Sequence, residues 1–206
     1  VTVIFVTRDI CGEQRMRWIL KLLVLVVTFM LPQSAIAVID VVRGEYIFRA
    51  AGCGNCHTDP GAKGNEARPK GEKLAGGRPL KPPFGTFYTP NITPHQEAGI
   101  GSWSFEEFRG AMVLGVAPNS APYYPAFPYT SYTGMPENDL ADLWAYIKLQ
   151  IPSARANRDD DLEFPFNVRA LMHGWRLLFF AEGRNSVANP SQSRLWNRGA
   201  YLSLIH

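Results

Sequence analysis

Two cysteines three positions apart, with a histidine directly behind the second, form the stretch "GCGNCHT", where Cys53, Cys56 and His57 lie within five residues. That spacing serves three chemistries: covalent attachment of a haem, half of a structural zinc site, or a redox-active dithiol. A closed zinc site needs four ligands. Beyond this run, the chain after residue 37 offers only His95, His173 and His206, with no second paired cluster. A thioredoxin-type dithiol wants a βαβ setting, which the sequence lacks, and gives the adjacent histidine no role. Covalent haem gives every residue a task. The thiols add to two vinyl groups one helical turn apart, and His57 lies under the iron as proximal ligand.

The N-terminus speaks to the compartment. From Met16, "MRWILKLLVLVVTFMLPQSAIA" sets Arg17 and Lys21 ahead of an apolar stretch ending near Leu31, followed by Ala35-Ile36-Ala37. Residues 1–37 therefore read as a secretory signal peptide, with Val38 as the mature start and the periplasm as destination. The apolar core falls short of the ~20 residues a bilayer span wants, which leaves an uncleaved anchor as the minor alternative. Residues 1–15 stand upstream of this signal and begin with valine, so Met16 is an alternative translation start that would delete Cys11. From Val38 onward 17 Lys and Arg face 16 Asp and Glu, a balance that argues against nucleic acid as a partner. Charge is uneven locally. Six basic residues against two acidic lie between Gly61 and Lys81, and seven acidic against three basic between Glu137 and Glu163. Such runs are solvated loop charge or, less often, docking surface.

A haem iron used as a carrier wants a sixth ligand, and past His57 the methionines are Met112, Met135 and Met172. Ser104-Phe105-Glu106-Glu107 has capping-box form, which predicts a helix carrying Met112 at core spacing with Phe105 and Phe108. Met112 is thereby assigned to packing. Met135 sits between Gly134 and Pro136, ahead of a helix whose Leu140, Leu143, Trp144 and Ile147 follow i, i+3, i+4, i+7. A methionine in that loop can reach an iron, so Met135 is the expected ligand, with gap-filling in the core as the alternative.

Residues 41–149 resemble a class I cytochrome c. "RGEYIFRAAGCGNCH" resembles that family's N-terminal helix and haem attachment, and "MPENDLADLWAYI" its axial methionine and C-terminal helix. "FYTPNITPHQEAGIGSW" resembles the stretch where mitochondrial-type members hold a haem propionate with a tyrosine and a tryptophan, which implies those roles for Tyr88 and Trp103. The chain departs from the family at "GEKLAGG". Such cytochromes often have Gly-Pro-x-Leu there, the proline carbonyl accepting from the proximal histidine; here Glu72 takes the proline's place. A wider resemblance, through "LAGGRPLKPPFGTFYTPNIT", "YYPAFPYTSYTGM" and "FPFNVRALMHGWRLLFF", is to the di-haem cytochromes that include cytochrome subunits of bacterial membrane-bound alcohol, aldehyde and gluconate dehydrogenases. In some of those the axial methionine follows "YPA", where this chain has Phe127.

The expected fold is mostly α: a cytochrome c-like helical domain at 38–151 around one covalent haem c, with a coil-rich middle and a helical C-terminal extension. Residues 152–195 read as a connector in which Val168, Leu171, Met172, Trp175, Leu178 and Phe179 form an apolar stripe and Arg169, His173 and Arg176 share the other face. "RGAYL" at 198–202 repeats "RGEYI" at 43–47, so 196–206 reads as the start of an incomplete second module with no second C-x-x-C-H. The resemblance implies outer-sphere electron transfer with redox partner proteins, a dehydrogenase or a terminal oxidase. A diffusible carrier, a subunit or remnant in a membrane-associated dehydrogenase complex, and a haem enzyme with an open sixth site all stay open.

Overall fold

Asp40 starts the first helix: its carboxylate accepts from the Arg43 backbone N–H at 3.0 Å and caps α1 (Val41–Ala50). The face of α1 carrying Gly44, Ile47 and Phe48 is buried. It packs on a later helix, Glu137–Lys148, whose Leu140, Leu143 and Ile147 are buried at the predicted spacing. Gly44 is the crossing point. A Cβ there would collide with the backbone of Asp142 and touch the Cβ of Tyr146, so the two backbones approach as closely as they do only because that position has no side chain.

Between these two helices the chain runs through α2 (Cys53–His57), β1 (Pro79–Leu80), β2 (Gly85–Tyr88) and α3 (Phe105–Arg109), which passes directly into a π-helical turn at Gly110–Leu114. A short α4 (Tyr129–Tyr132) precedes the long helix, α5 (Glu137–Lys148); β3 (Asp161–Leu162), α6 (Leu171–Phe179) and α7 (Arg194–Leu204) follow. The expected mostly α architecture is what forms, with one small antiparallel sheet in the order β1-β2-β3. The capping box also forms. Ser104 Oγ accepts from Glu107 N–H at 3.2 Å, while the Glu107 carboxylate accepts from Ser104 N–H at 2.7 Å.

This computed structural model describes residues 16–18, 21, 39–59, 73–183 and 188–205. The signal peptide read at 1–37 lies outside the described residues except at 16–18 and 21. Among the described residues no helix is long and apolar enough to cross a membrane.

Two carboxylates on α5 are buried, Asp139 and Asp142. Asp142 accepts from the Arg43 guanidinium and from Asp40 N–H at 2.7 Å, and Asp139 accepts from Arg198 at 2.6 Å. The leading arginines of "RGEYI" and "RGAYL" therefore both serve α5. Removing one member of a buried pair costs about 3–5 kcal/mol; with the Arg43 side chain 38% exposed, the low end of that range applies here.

Residues 152–195 do not stand apart from the rest. Ile39–His206 forms one compact unit, β3 extends the sheet through β2, and Ile205 beyond α7 is buried in the main core. Around α6 two arginines turn inward: Arg176 donates to the Leu114 and Gly115 carbonyls and Arg169, just before the helix, to that of Pro122, while His173 is exposed as expected, as are Leu171, Leu177, Leu178 and Phe179.

Gly44→Ala should destabilise the protein by about 2 kcal/mol, the cost of forcing a methyl group into a filled helix crossing. Urea unfolding followed by circular dichroism measures it, and an unchanged midpoint would mean that α1 and α5 do not meet at Gly44.

Candidate haem site

Gly52 makes the turn from α1 into the attachment motif, adopting φ +66°, a left-handed conformation that a side chain disfavours. The chain then folds as the single short helix α2. Cys53 and Cys56 lie one helical turn apart, and neither is in a disulfide.

Beside α2 lies a cavity of about 430 Å³, within the range of small-molecule and cofactor sites. Cys53, Cys56, His57, Tyr88 and Trp103 all line it, together with apolar side chains such as Ile92, Ile100 and Phe108. Five of the six expected site residues are thus gathered at one cavity. Met135 is the sixth: it is buried in the hydrophobic core with Leu140 and Leu143 and is not among the lining residues. Met112, assigned from sequence to packing, is among them, and so is Phe127. A more open groove of about 850 Å³ shares Leu80, Phe87, Tyr124 and Ala126 with this cavity but contains neither the thiols nor the imidazole.

His57 Nδ1 lies 2.8 Å from the Pro90 carbonyl oxygen. A carbonyl only accepts, so Nδ1 carries the hydrogen and Nε2 keeps its lone pair, the tautomer that a metal needs. His57 and Cys53 both reach the cavity surface, yet protein surrounds them closely. Burial holds the imidazole pKa below its ordinary value, favouring the neutral ring, and pushes the Cys53 thiol up to about 12. The resemblance left the acceptor for His57 unassigned, because Glu72 replaces the proline, and Glu72 lies outside the described residues. Pro90 takes that role. A backbone carbonyl leaves no mark in the sequence, so nothing there could have identified it.

The coil that carries Pro90 is held by its neighbour. Asn91 N–H donates to Asn157 Oδ1 at 2.6 Å, and Asn91 Nδ2 donates to the Ser153 and Arg155 carbonyls at 2.8 and 3.0 Å. Asn91 Oδ1 accepts from Thr93 N–H at 2.9 Å and from its hydroxyl at 2.7 Å. Every donor and acceptor of this buried side chain is used. These bonds lay 153–160 along the cavity, where Asn157, Arg158 and Asp160 form part of the wall. The Arg158 guanidinium sits 3.8 Å from the Tyr88 ring centroid, and the Asp160 carboxylate accepts from Tyr88 N–H at 3.0 Å. Arg155 reaches back to Asp59, just past the attachment motif, at 3.2 Å. None of these roles was read from the sequence, which treated 152–195 as a connector.

Residues 41–150 match the cytochrome c family model. The chain belongs to the cytochrome c family. It is 44% identical over 163 residues to a diheme cytochrome c-type protein of Cereibacter sphaeroides, covering 79% of this chain and 53% of the relative. It is 42% identical over 160 residues to a nicotinate dehydrogenase subunit of Pseudomonas putida, covering 78% and 13% respectively. With the gluconate 2-dehydrogenase cytochrome c subunit of Pantoea cypripedii it shares 37% identity over 163 residues, or 79% and 35% of the two chains. The chain thus spans between 13% and 53% of the length of these curated relatives. Family membership implies covalent haem c and supports electron transfer as the role. The residues present fit that group: two unbridged thiols a turn apart, an imidazole oriented through its Nδ1, and an apolar slot beside them.

Asn91→Ala in this cytochrome should leave the Arg155 carbonyl and the Thr93 N–H without the Asn91 side chain and the Ser153 carbonyl with only the long 3.5 Å bond from Thr93 Oγ1, destabilising the fold by about 2–3 kcal/mol. It should also free the segment around 153–160. Limited proteolysis is the check: cleavage there should become faster than in the wild type, and equal rates would show that Asn91 does not hold the wall.

Proposed function

We propose that this chain is an electron-transfer module carrying one covalent haem c, attached through Cys53 and Cys56 and ligated by His57, on the periplasmic side of the membrane. The observation that carries the reading is the convergence of both thiols and the Pro90-bonded imidazole on one apolar cavity. When bound, haem c supplies a one-electron couple whose potential depends on axial ligands, nearby hydrogen bonds and burial.

The protein's part is attachment, orientation and exclusion of water. Cys53 and Cys56 would hold the group covalently, as thioethers formed by addition of each S–H to a vinyl group. The Pro90 carbonyl holds the His57 ring by its Nδ1–H and makes Nε2 a better donor. Tyr88, Trp103 and Arg158 supply the polar wall suited to propionate carboxylates. Cys56 is exposed, so the rim beside the attachment motif meets solvent where a redox partner can approach.

A dehydrogenase is the favoured partner, because relatives of this chain are named as cytochrome subunits of gluconate and fructose dehydrogenases. The single C-x-x-C-H in residues 1–206 supports one covalent haem on this stretch. The signal peptide reading supports export.

Cys53→Ala and Cys56→Ala should each weaken covalent attachment, and His57→Ala should largely abolish holoprotein. Haem staining of denaturing gels and a pyridine haemochrome count per chain measure both effects. Normal staining in all three variants would sink the proposal, and two haems per wild-type chain would overturn the count.

A further inference from the structure

Besides the attachment motif, the cavity wall includes Phe108 of α3, Ala111 and Met112 of the π-helical turn, and residues of the loop at 123–128. A six-coordinate iron held here would need, besides His57, a second donor from this lining. Phe127, which stands where some di-haem relatives have their axial methionine, offers no donor. Tyr124 and Tyr132 spend their hydroxyls on the carbonyls of Phe166, at 2.7 Å, and Ala51, at 2.9 Å. Burial raises the pKa of Tyr123 and keeps its phenol protonated. One thioether remains in the lining, that of Met112.

We infer that Met112, not Met135, provides the sulfur ligand to the haem iron. This rests on the haem reading above and deepens it. Met112 is in the π-helical turn Gly110–Leu114, beside Ala111, and both face the cavity. Such turns widen the helix by one residue and recur at functional sites. The turn is fixed at its end, with Gly115 N–H donating to the Ala111 carbonyl and Arg176 donating to the Leu114 and Gly115 carbonyls. The backbone under Met112 is therefore anchored from two sides. Met135 is held in a tight turn by its N–H to the Tyr132 carbonyl at 2.8 Å; it is as buried in the core as Met112 but, unlike Met112, does not line the cavity.

The test uses purified holoprotein and reads the weak near-infrared sulfur-to-iron band of the oxidised form, the midpoint potential and carbon monoxide binding to the reduced form. Met112→Leu conserves volume and keeps the fold. It should remove the band, lower the potential and admit carbon monoxide, while the pyridine haemochrome count stays at wild type. Met112→His should restore a low-spin spectrum without the sulfur band, which a merely packing residue would not do. Met135→Leu should keep the band and the potential. Loss of the band in Met135→Leu with retention in Met112→Leu would overturn the assignment. So would a wild-type protein that lacks the band and binds carbon monoxide, since the iron would then face Phe127 with an open sixth position. A wild-type chain with no pyridine haemochrome signal would instead overturn the haem reading itself.

Discussion

The hydrogen bond from His57 Nδ1 to the Pro90 carbonyl is the joint on which the site depends. It fixes the imidazole tautomer, and it does so with a backbone atom whose position is set elsewhere. Gly76 N–H donates to the His57 carbonyl at 2.8 Å and Gly77 N–H to that of Thr89 at 2.7 Å, which draws two coil segments together around the motif. Asn91 then ties that coil to 153–157. A ligand orientation that looks local, one ring and one carbonyl, is thus determined by hydrogen bonds spanning about half the chain's length.

The helical frame solves a different problem, the close approach of α1 to α5. Apolar burial supplies most of the driving force, yet the register of the two helices is set by polar groups. Asp142 gathers the N-terminal turn of α1 through Arg43 and the Asp40 N–H, and Gly44 allows the backbones to meet. Ion pairs of this kind add little net stability but are costly to break. The matching arginine in the middle of α7, Arg198, extends the same logic, so that α5 is gripped at Asp139 as well. The C-terminal helix is consequently part of the frame.

Much of this frame was legible from one sequence because it follows local rules. The α5 periodicity, the capping box at Ser104 and the attachment motif each occupy a few consecutive residues. The π-helical turn was not legible, because shifting one backbone hydrogen bond leaves the Phe105, Phe108, Met112 spacing compatible with an ordinary helix. Burial of Asp139 and Asp142 was equally hidden: carboxylates on a helix read as solvated, and the arginines that neutralise them lie 99 and 59 residues away. The sequence placed Tyr88 and Trp103 by resemblance, whereas their neighbour Arg158 came from a segment rich in charge and poor in pattern. Met135 was favoured for its loop setting, a local argument that could not register which of two equally buried methionines lines the cavity.

Helix α6 is attached with its hydrocarbon side to water and its guanidinium groups to the body of the protein. Arg176 and, just ahead of the helix, Arg169 donate to backbone carbonyls, and with Met172 the buried residue of the helix these are a thin bond for nine residues. Local opening free energy scales with the apolar surface that opening would expose, and here most of that surface is exposed already. Native-state hydrogen exchange should therefore find α6 opening as its own unit, well below the global unfolding free energy, while α1 and α5 exchange only with the whole molecule.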